Sequence, residues 1–561
     1  MKILRKTLFR LIFILPLIGL ASSLHAQSDP TGESPATRTF AITNATIIQA
    51  PGKMMEEATI VITDGLITAI GNNVNIPSDA EVLDGTDMFI YPGFIDGMAN
   101  TGADRPESPE RPDNLFTPDP PNYYAGITPE NQVVEQIKVD ENSIEAMRKV
   151  GFTISHTVPY GRMLPGSGAL ILLRDADHPD KLILSEGSSL YSQFSGAPGA
   201  YPGNTLGIMA KFRNLYRNAE LSKSHSELYA SNPTGIARPT RDRVSEAFYP
   251  VIEKKQPIFY NASNSLEARR AMRLQKELGF NLVLGNLQEG WDLADEIKST
   301  GTKVFMSLEL PKEPKDSKEE DKSDEVKRLE ERRMEFYKKY VTQYAQLQQA
   351  GIKFGFSSID ARANDLKNNL LTIIENGLSE DEALAALTTN AAALLGISNM
   401  AGTLDEGKLG NLVVSKGPYF DKESQIKYVF VDGVKYEYDL KTGARKAEDG
   451  EANPAGMQAL IGTWSYEFTT PQGTQTGKMI FTNESGMLSG IMTSSDGTPD
   501  VDLQNISFLN NELTFDFSID AGGQSIDIVV EGVVDGTSYE AEASVAAFNV
   551  SFPIQATKDE A

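Results

Sequence analysis

The chain has 561 residues, with 77 Asp and Glu against 52 Lys and Arg and a formal net charge of −25. At roughly 150 residues per domain this is room for three or four domains with sizeable cores, and the acidity excludes a nucleic-acid binder, which needs a basic surface for phosphates. The absence of cysteine excludes disulfides, thiol catalysis and thiolate metal sites, and only four histidines leave little for a histidine-rich centre.

The elements begin with a charged stretch, Lys2, Arg5, Lys6 and Arg10, then an apolar run from Leu11 to Leu20 and small residues up to Ala26. This is the layout of a signal peptide over residues 1–26. It is short of the roughly 20 apolar residues that an anchor needs to span a bilayer. The expectation is an exported chain, periplasmic or secreted, that does not span the membrane and loses His25 with its leader. Residues 27–37 read as a Ser/Pro/Gly-rich lead-in.

From Phe40 short strands follow, and Asp64-Gly65 between "ATIVIT" and "LITAIG" is a two-residue hairpin signal. After "MFIYPGFIDGMANTG" strand-like runs ("GFTISHTV", "QPIFYNA", "FNLVLGN", "TKVFMSLEL", "IKFGFSS") alternate with amphipathic helical text such as "SLEARRAMRLQKELG" and "EGWDLADEIKSTG". That alternation over some 300 residues predicts an α/β fold, most economically a (β/α)8 barrel over 91–396. The densely charged segment Pro311 to Arg333 reads as solvated loop and helix. Ser379 with Glu382 is a capping box. "GTLDEGKLGNLVV" and "IKYVFVDGVKYEY" return to strands over 397–445, to join those of 38–90 in a composite β-sandwich. A Gly/Ala/Pro linker at 446–457 precedes a small all-β domain, 458–558, with short alternating strands.

Three motifs carry the rest: the N-terminal "ITNATIIQAPGKMMEEATIVITDGLITAIG" with "YPGFIDG", the helix pair "GLSEDEALAALTTNAAALLGI", and "GTLDEGKLGNLVV" with "VFVDG". In this order and spacing they resemble the amidohydrolase superfamily, in its imidazolonepropionase-like branch. The resemblance implies hydrolysis of C–N bonds by water activated on zinc or another divalent ion, held by His and carboxylate ligands at strand ends. At the positions matching those ligands this chain has Met98 and Asn100 after the Asp of "PGFIDG", Asn261, Asn286, and Ser358 or Ile359. No lysine can be placed on the fourth strand. A thioether and neutral amides are poor ligands for such an ion, so no metal or other cofactor is expected.

Three functional readings stay open. One is a non-catalytic partner or binding protein beside a metal-complete relative. The second is a C–N hydrolase with relocated metal or metal-free carboxylate chemistry, with Asp96 and Asp360 as the catalytic candidates. The third is a binder of an unknown small ligand. Glu289 and His156 are candidate substrate contacts, while His178 and His225 read as surface residues. The Gly-rich Leu164 to Ala169 stretch reads as a tight turn, because no Lys-Ser/Thr follows it. "IGTWSYEF" resembles the opening of lipocalin-type barrels, with Trp464 as a core residue.

Overall fold

A computed structural model describes residues 38–139, 142–314, 323–440 and 460–559, apart from 471–472, 485–486, 496–499, 510–511, 522–523 and 546–549. The signal peptide, the lead-in and the linker fall outside the described residues. The chain divides into two compact units, Met1–Lys441 and Thr442–Ala561.

Both ends of unit 1 contribute to one eight-stranded sheet. From the N-terminal end come β1 (Thr39–Ala50), β2 (Lys53–Thr63), β3 (Leu66–Gly71), β4 (Glu81–Asp84) and β5 (Met88–Pro92). Asp64 and Gly65 both take positive φ (49° and 82°), as the primed turn between β2 and β3 demands.

The middle of the chain forms the second sheet of eight strands: β6 (Phe94–Ala99), β7 (Phe152–Thr157), β8 (Gly166–Leu172), β9 (Ile183–Gln193), β10 (Ile258–Asn261), β11 (Leu282–Leu287), β12 (Lys303–Ser307) and β13 (Phe354–Ser357). They follow one another in sequence order. The two ends are tied by the Ser357 hydroxyl donating to the Met98 carbonyl (2.8 Å) and the Ser358 N–H donating to Asp96 (3.2 Å), which makes a nearly closed barrel. Seven strands run in one direction and β8 runs against its two neighbours. Residues 158–165, between β7 and β8, are too few for a parallel crossover, which takes a dozen or more, so the chain turns back as a hairpin. Strands β14 (Leu412–Lys416), β15 (Gln425–Val431) and β16 (Val434–Glu437) return to the first sheet, where β14 pairs with β5.

The barrel helices follow from sequence. Ser265–Leu278 is capped by Asn264, whose side chain accepts from the Glu267 N–H, and stops at Gly279 with φ 76°. Ala268, Ala271, Met272 and Leu274, at helical spacing, form its buried face. Ser379 caps the helix Glu380–Leu387 as expected, but the Glu382 carboxylate accepts from Asn390 (3.0 Å), so the capping box is bonded on one side.

One buried cation joins barrel to end sheet. Arg148, on the helix Asn142–Lys149, is 4% exposed, donates to Asp175 (2.9 Å) and to the Leu173 carbonyl (3.3 Å), and lies 3.6 Å from the Tyr436 ring centroid. Because Asp175 is mostly exposed, losing the guanidinium strands no buried charge. Arg148→Met is expected to lower the stability of unit 1 by about 2 kcal/mol, chiefly through the desolvated cation–π contact, as read by urea unfolding.

Unit 2 is a closed antiparallel barrel of eight sequential strands, from β17 (Gly462–Thr470) to β24 (Val550–Lys558), which pair with each other. Trp464, Tyr466, Met479, Phe481, Phe515 and Tyr539 fill its interior, and the Trp464 indole N–H donates to the Leu460 carbonyl (2.9 Å). Ser465, Glu467 and Lys478 face outward, as do the exposed Ile491 and Val533. No helix among the described residues is long and apolar enough to cross a membrane.

Candidate functional site

The ends of β9, β10, β11 and β13 gather the polar residues of the barrel mouth. Asn261 ends β10 on the same side as Phe259, which packs in the barrel interior. On β11 simple alternation would turn Asn286 toward the helices with Leu284. A register shift against β12 between Leu284 and Leu287 breaks that alternation, and Leu282, Leu284 and Leu287 all pack in the helix-facing core. The bulge thus re-aims Asn286, whose amide donates to Asp360 (2.6 Å). Gln288 donates to the same Asp360 oxygen (3.1 Å) and to Glu309 (3.4 Å). Asp360 is exposed, but surrounding protein raises its carboxyl above the ordinary value by desolvation, and Glu309 is raised by desolvation and by the Asp360 charge.

Sequence reasoning missed Tyr191, Gln193, Gln288 and Glu309. The strand before β10, on which no lysine could be placed, presents Tyr191. Its hydroxyl donates to Gln193 (3.3 Å) and lies 3.4 Å from the Asn261 amide nitrogen. A Tyr in a run of buried strand residues carries no site signal of its own, so only the fold reveals its neighbours.

Of the two carboxylates named as catalytic candidates, only Asp360 belongs to this cluster. Asp96 is fully buried and accepts from the N–H groups of Met98 (3.2 Å) and Ser358 (3.2 Å) and from the Ser358 hydroxyl. That hydroxyl also touches Met147 of the helix layer (4.0 Å), so Asp96 is a clamp in the barrel wall. Burial pushes its carboxyl up to about 7. Glu289 lies half-buried beside the mouth, close enough for its charge to act on Tyr340.

His156 is fully buried, with Nδ1 2.8 Å from the Gly97 carbonyl and Nε2 2.9 Å from the Ser189 hydroxyl. A carbonyl only accepts, so Nδ1 carries the proton and Nε2 accepts from Ser189. Burial holds the ring down to about 4, hence neutral. Gly168 makes this possible: a Cβ there would lie 2.9 Å from Nε2 and 2.7 Å from the Ser189 oxygen. The Gly-rich stretch reads in sequence as a tight turn, but Gly166 to Ala169 lie inside β8, where the missing Cβ of Gly168 leaves room for the His156–Ser189 contact. His178 is exposed, and His225 is half-buried with Nε2 2.9 Å from the Ala237 carbonyl.

The donors at the five ligand positions do not fit a divalent ion. The Met98 thioether is fully buried in the apolar interior, and a Cβ on Gly285 would meet its sulfur at 2.5 Å. Asn100 donates its amide to the Val158 carbonyl (2.7 Å), Asn286 donates to Asp360, and Ser358 donates to Asp96. Among the described residues no three His, Cys, Asp or Glu side chains are grouped to hold a metal ion.

Residues 338–435 match the amidohydrolase family. No curated protein matches the chain. Among solved structures, an amidohydrolase from Thermotoga maritima MSB8 is similar over 71% of this chain and 100% of its own, with 22% identity and a TM-score of 0.58. A prolidase complexed with N-methylphosphonate-L-proline covers 72% of this chain and 100% of its own, at 17% identity and a TM-score of 0.43. The barrel fold is shared with the Thermotoga amidohydrolase structure, and residues 338–435 are similar to the amidohydrolase family.

Proposed function

We propose that this chain is an exported, non-catalytic member of the superfamily that binds a small molecule at its barrel mouth beside a metal-complete relative. The carrying observation is the donor set: at the positions matching the metal ligands stand a core-packed thioether, three neutral amides and a hydroxyl committed to Asp96. None of these side chains brings charge to a hard or borderline ion. Export is supported by the layout of residues 1–26.

Elemental analysis of protein purified from metal-supplemented medium tests this reading. Substoichiometric zinc, iron and manganese are expected, and one equivalent of any of them overturns it. Affinity copurification from the native host is expected to bring down an amidohydrolase with intact His ligands, and recovery of a lone monomer overturns the partner assignment.

One observation favours a second reading, hydrolysis by carboxylates alone. Asp360 and Glu309 share Gln288, and both are shifted toward the protonated form that a general acid needs. Turnover of cyclic amides or dipeptides that Asp360→Asn abolishes would establish it in place of the first.

A further inference from the structure

We propose that the barrel mouth is a receptor for an organic cation, a primary ammonium or a guanidinium, because two buried amide oxygens, of Asn261 and Asn286, are left without a donor near the Asp360 carboxylate. This deepens the binding reading above by naming the class of ligand.

The direction of each hydrogen bond can be followed from one fixed end. The Gly161 carbonyl accepts from Gln193 Nε2 (2.6 Å), so Gln193 Oε1 faces Tyr191 and accepts its hydroxyl proton (3.3 Å). The Tyr191 oxygen then accepts from Asn261 Nδ2 (3.4 Å), and Asn261 Oδ1 is left buried without a partner. On the neighbouring strand Asn286 Nδ2 donates to Asp360 (2.6 Å), and Asn286 Oδ1 is likewise buried without a partner. A flipped Asn286 would set its oxygen against a carboxylate oxygen, and a flipped Asn261 would have to take the Tyr191 proton from Gln193.

Asn286 is fully buried. An unmet acceptor there carries the desolvation penalty of a lost hydrogen bond, which a donor from a ligand would recover. The carboxylates beside it make a charged donor the better match, since Asp360 accepts from the Asn286 and Gln288 amides, Glu309 accepts from Gln288, and among the described residues neither is seen in a salt bridge. An ammonium brings three donors and a guanidinium five, enough for two amide oxygens and a carboxylate together. A bare divalent ion fits less well, because two of the four groups are uncharged amides and, among the described residues, no third acid or imidazole is grouped with them.

Calorimetric titration of the intact protein with 1,5-diaminopentane and with agmatine tests this, with N,N′-diacetyl-1,5-diaminopentane and glutarate as controls. Saturable 1:1 binding of the two cations, weakening as salt rises, is expected, with none for either control. Asp360→Asn and Asn286→Leu are each expected to weaken it tenfold or more. Asp360 is exposed, so its variant should fold, which circular dichroism checks. Asp180→Asn, an exposed carboxylate beside His178, should bind as wild type does.

Absence of saturable cation binding overturns the inference, as does equal affinity in Asp360→Asn or displacement of the amine by one equivalent of calcium, magnesium or zinc. Amine binding in a protein that also turns over an amide leaves the inference standing and overturns the non-catalytic reading. Neither binding nor turnover does the converse.

Discussion

Asp96→Asn is expected to unfold at higher temperature than the wild-type protein at pH 8, with the advantage vanishing by pH 4. Burial raises the native carboxyl to about 7 from its ordinary value of 3.8. Between those values the folded chain holds a proton that the unfolded chain has released, so this group's contribution is full below pH 4 and is lost as pH rises through 7. A shift of about 3 units is worth about 4 kcal/mol, much of a typical folding free energy. His156 acts in the opposite sense, since its depressed value makes the native state lose stability as pH falls from 6.5 toward about 4. The wild-type profile therefore conceals both terms, and the difference between wild type and Asp96→Asn isolates one. The amide keeps the geometry: its oxygen can accept the N–H groups of Met98 and Ser358, and its nitrogen can donate to the Ser358 hydroxyl. A difference that does not grow between pH 4 and pH 8, measured by thermal unfolding, would show that Asp96 is not sealed as described.

Elements whose local chemistry has a single answer were legible in the sequence. Asp64-Gly65 makes the primed turn, Asn264 and Gly279 bound a helix, and the strand pieces at both ends of unit 1 meet where β14 pairs with β5. The reversed strand β8 was less so. Its first four residues, Gly166 to Ala169, read as part of a tight turn, and only the brevity of residues 158–165 points to a hairpin. The alternating strands at the C-terminal end read equally as a small antiparallel barrel or a sandwich, and closure between β17 and β24 makes it the barrel.

The site was legible at its ligand positions and illegible at its supports. Asn261 and Asn286 come to one end as strand order implied, because the adjacent parallel strands β10 and β11 carry them there, and Asp360, just past β13, meets Asn286. Asp96 was placed with them because it shares β6 with Met98, but a register shift between Asp96 and Ala99 leaves Asp96 facing the Ser358 clamp. A one-residue slip moves a side chain to the other face of a strand, and no composition rule anticipates a bulge. Gln193, Gln288 and Glu309 matter only through partners far along the chain.

Gly97→Ala is expected to destabilise unit 1 by about 3 kcal/mol or more, beyond ordinary overpacking. A Cβ at Gly97 would fall 1.9 Å from one edge carbon of Phe305 and 2.2 Å from the next. The ring has little freedom to retreat. It is fully buried, packs against Phe259 at 5.9 Å, and would meet a Cβ on Gly355 at 2.5 Å. Glycines on β6 and β13 therefore leave the space the phenyl group occupies, on the two strands that close the barrel with side-chain bonds. In an unconstrained strand the same substitution would stabilise by about 0.5–1 kcal/mol, so the sign alone decides between an open and a filled interior. Phe305→Leu should be destabilising by itself, yet Gly97→Ala should cost much less in its presence, because the shorter side chain vacates the contested volume. Guanidinium unfolding of the four proteins gives the coupling energy. Additive losses would place the ring elsewhere, whereas a strong rescue would show that the barrel interior is a packed aromatic core.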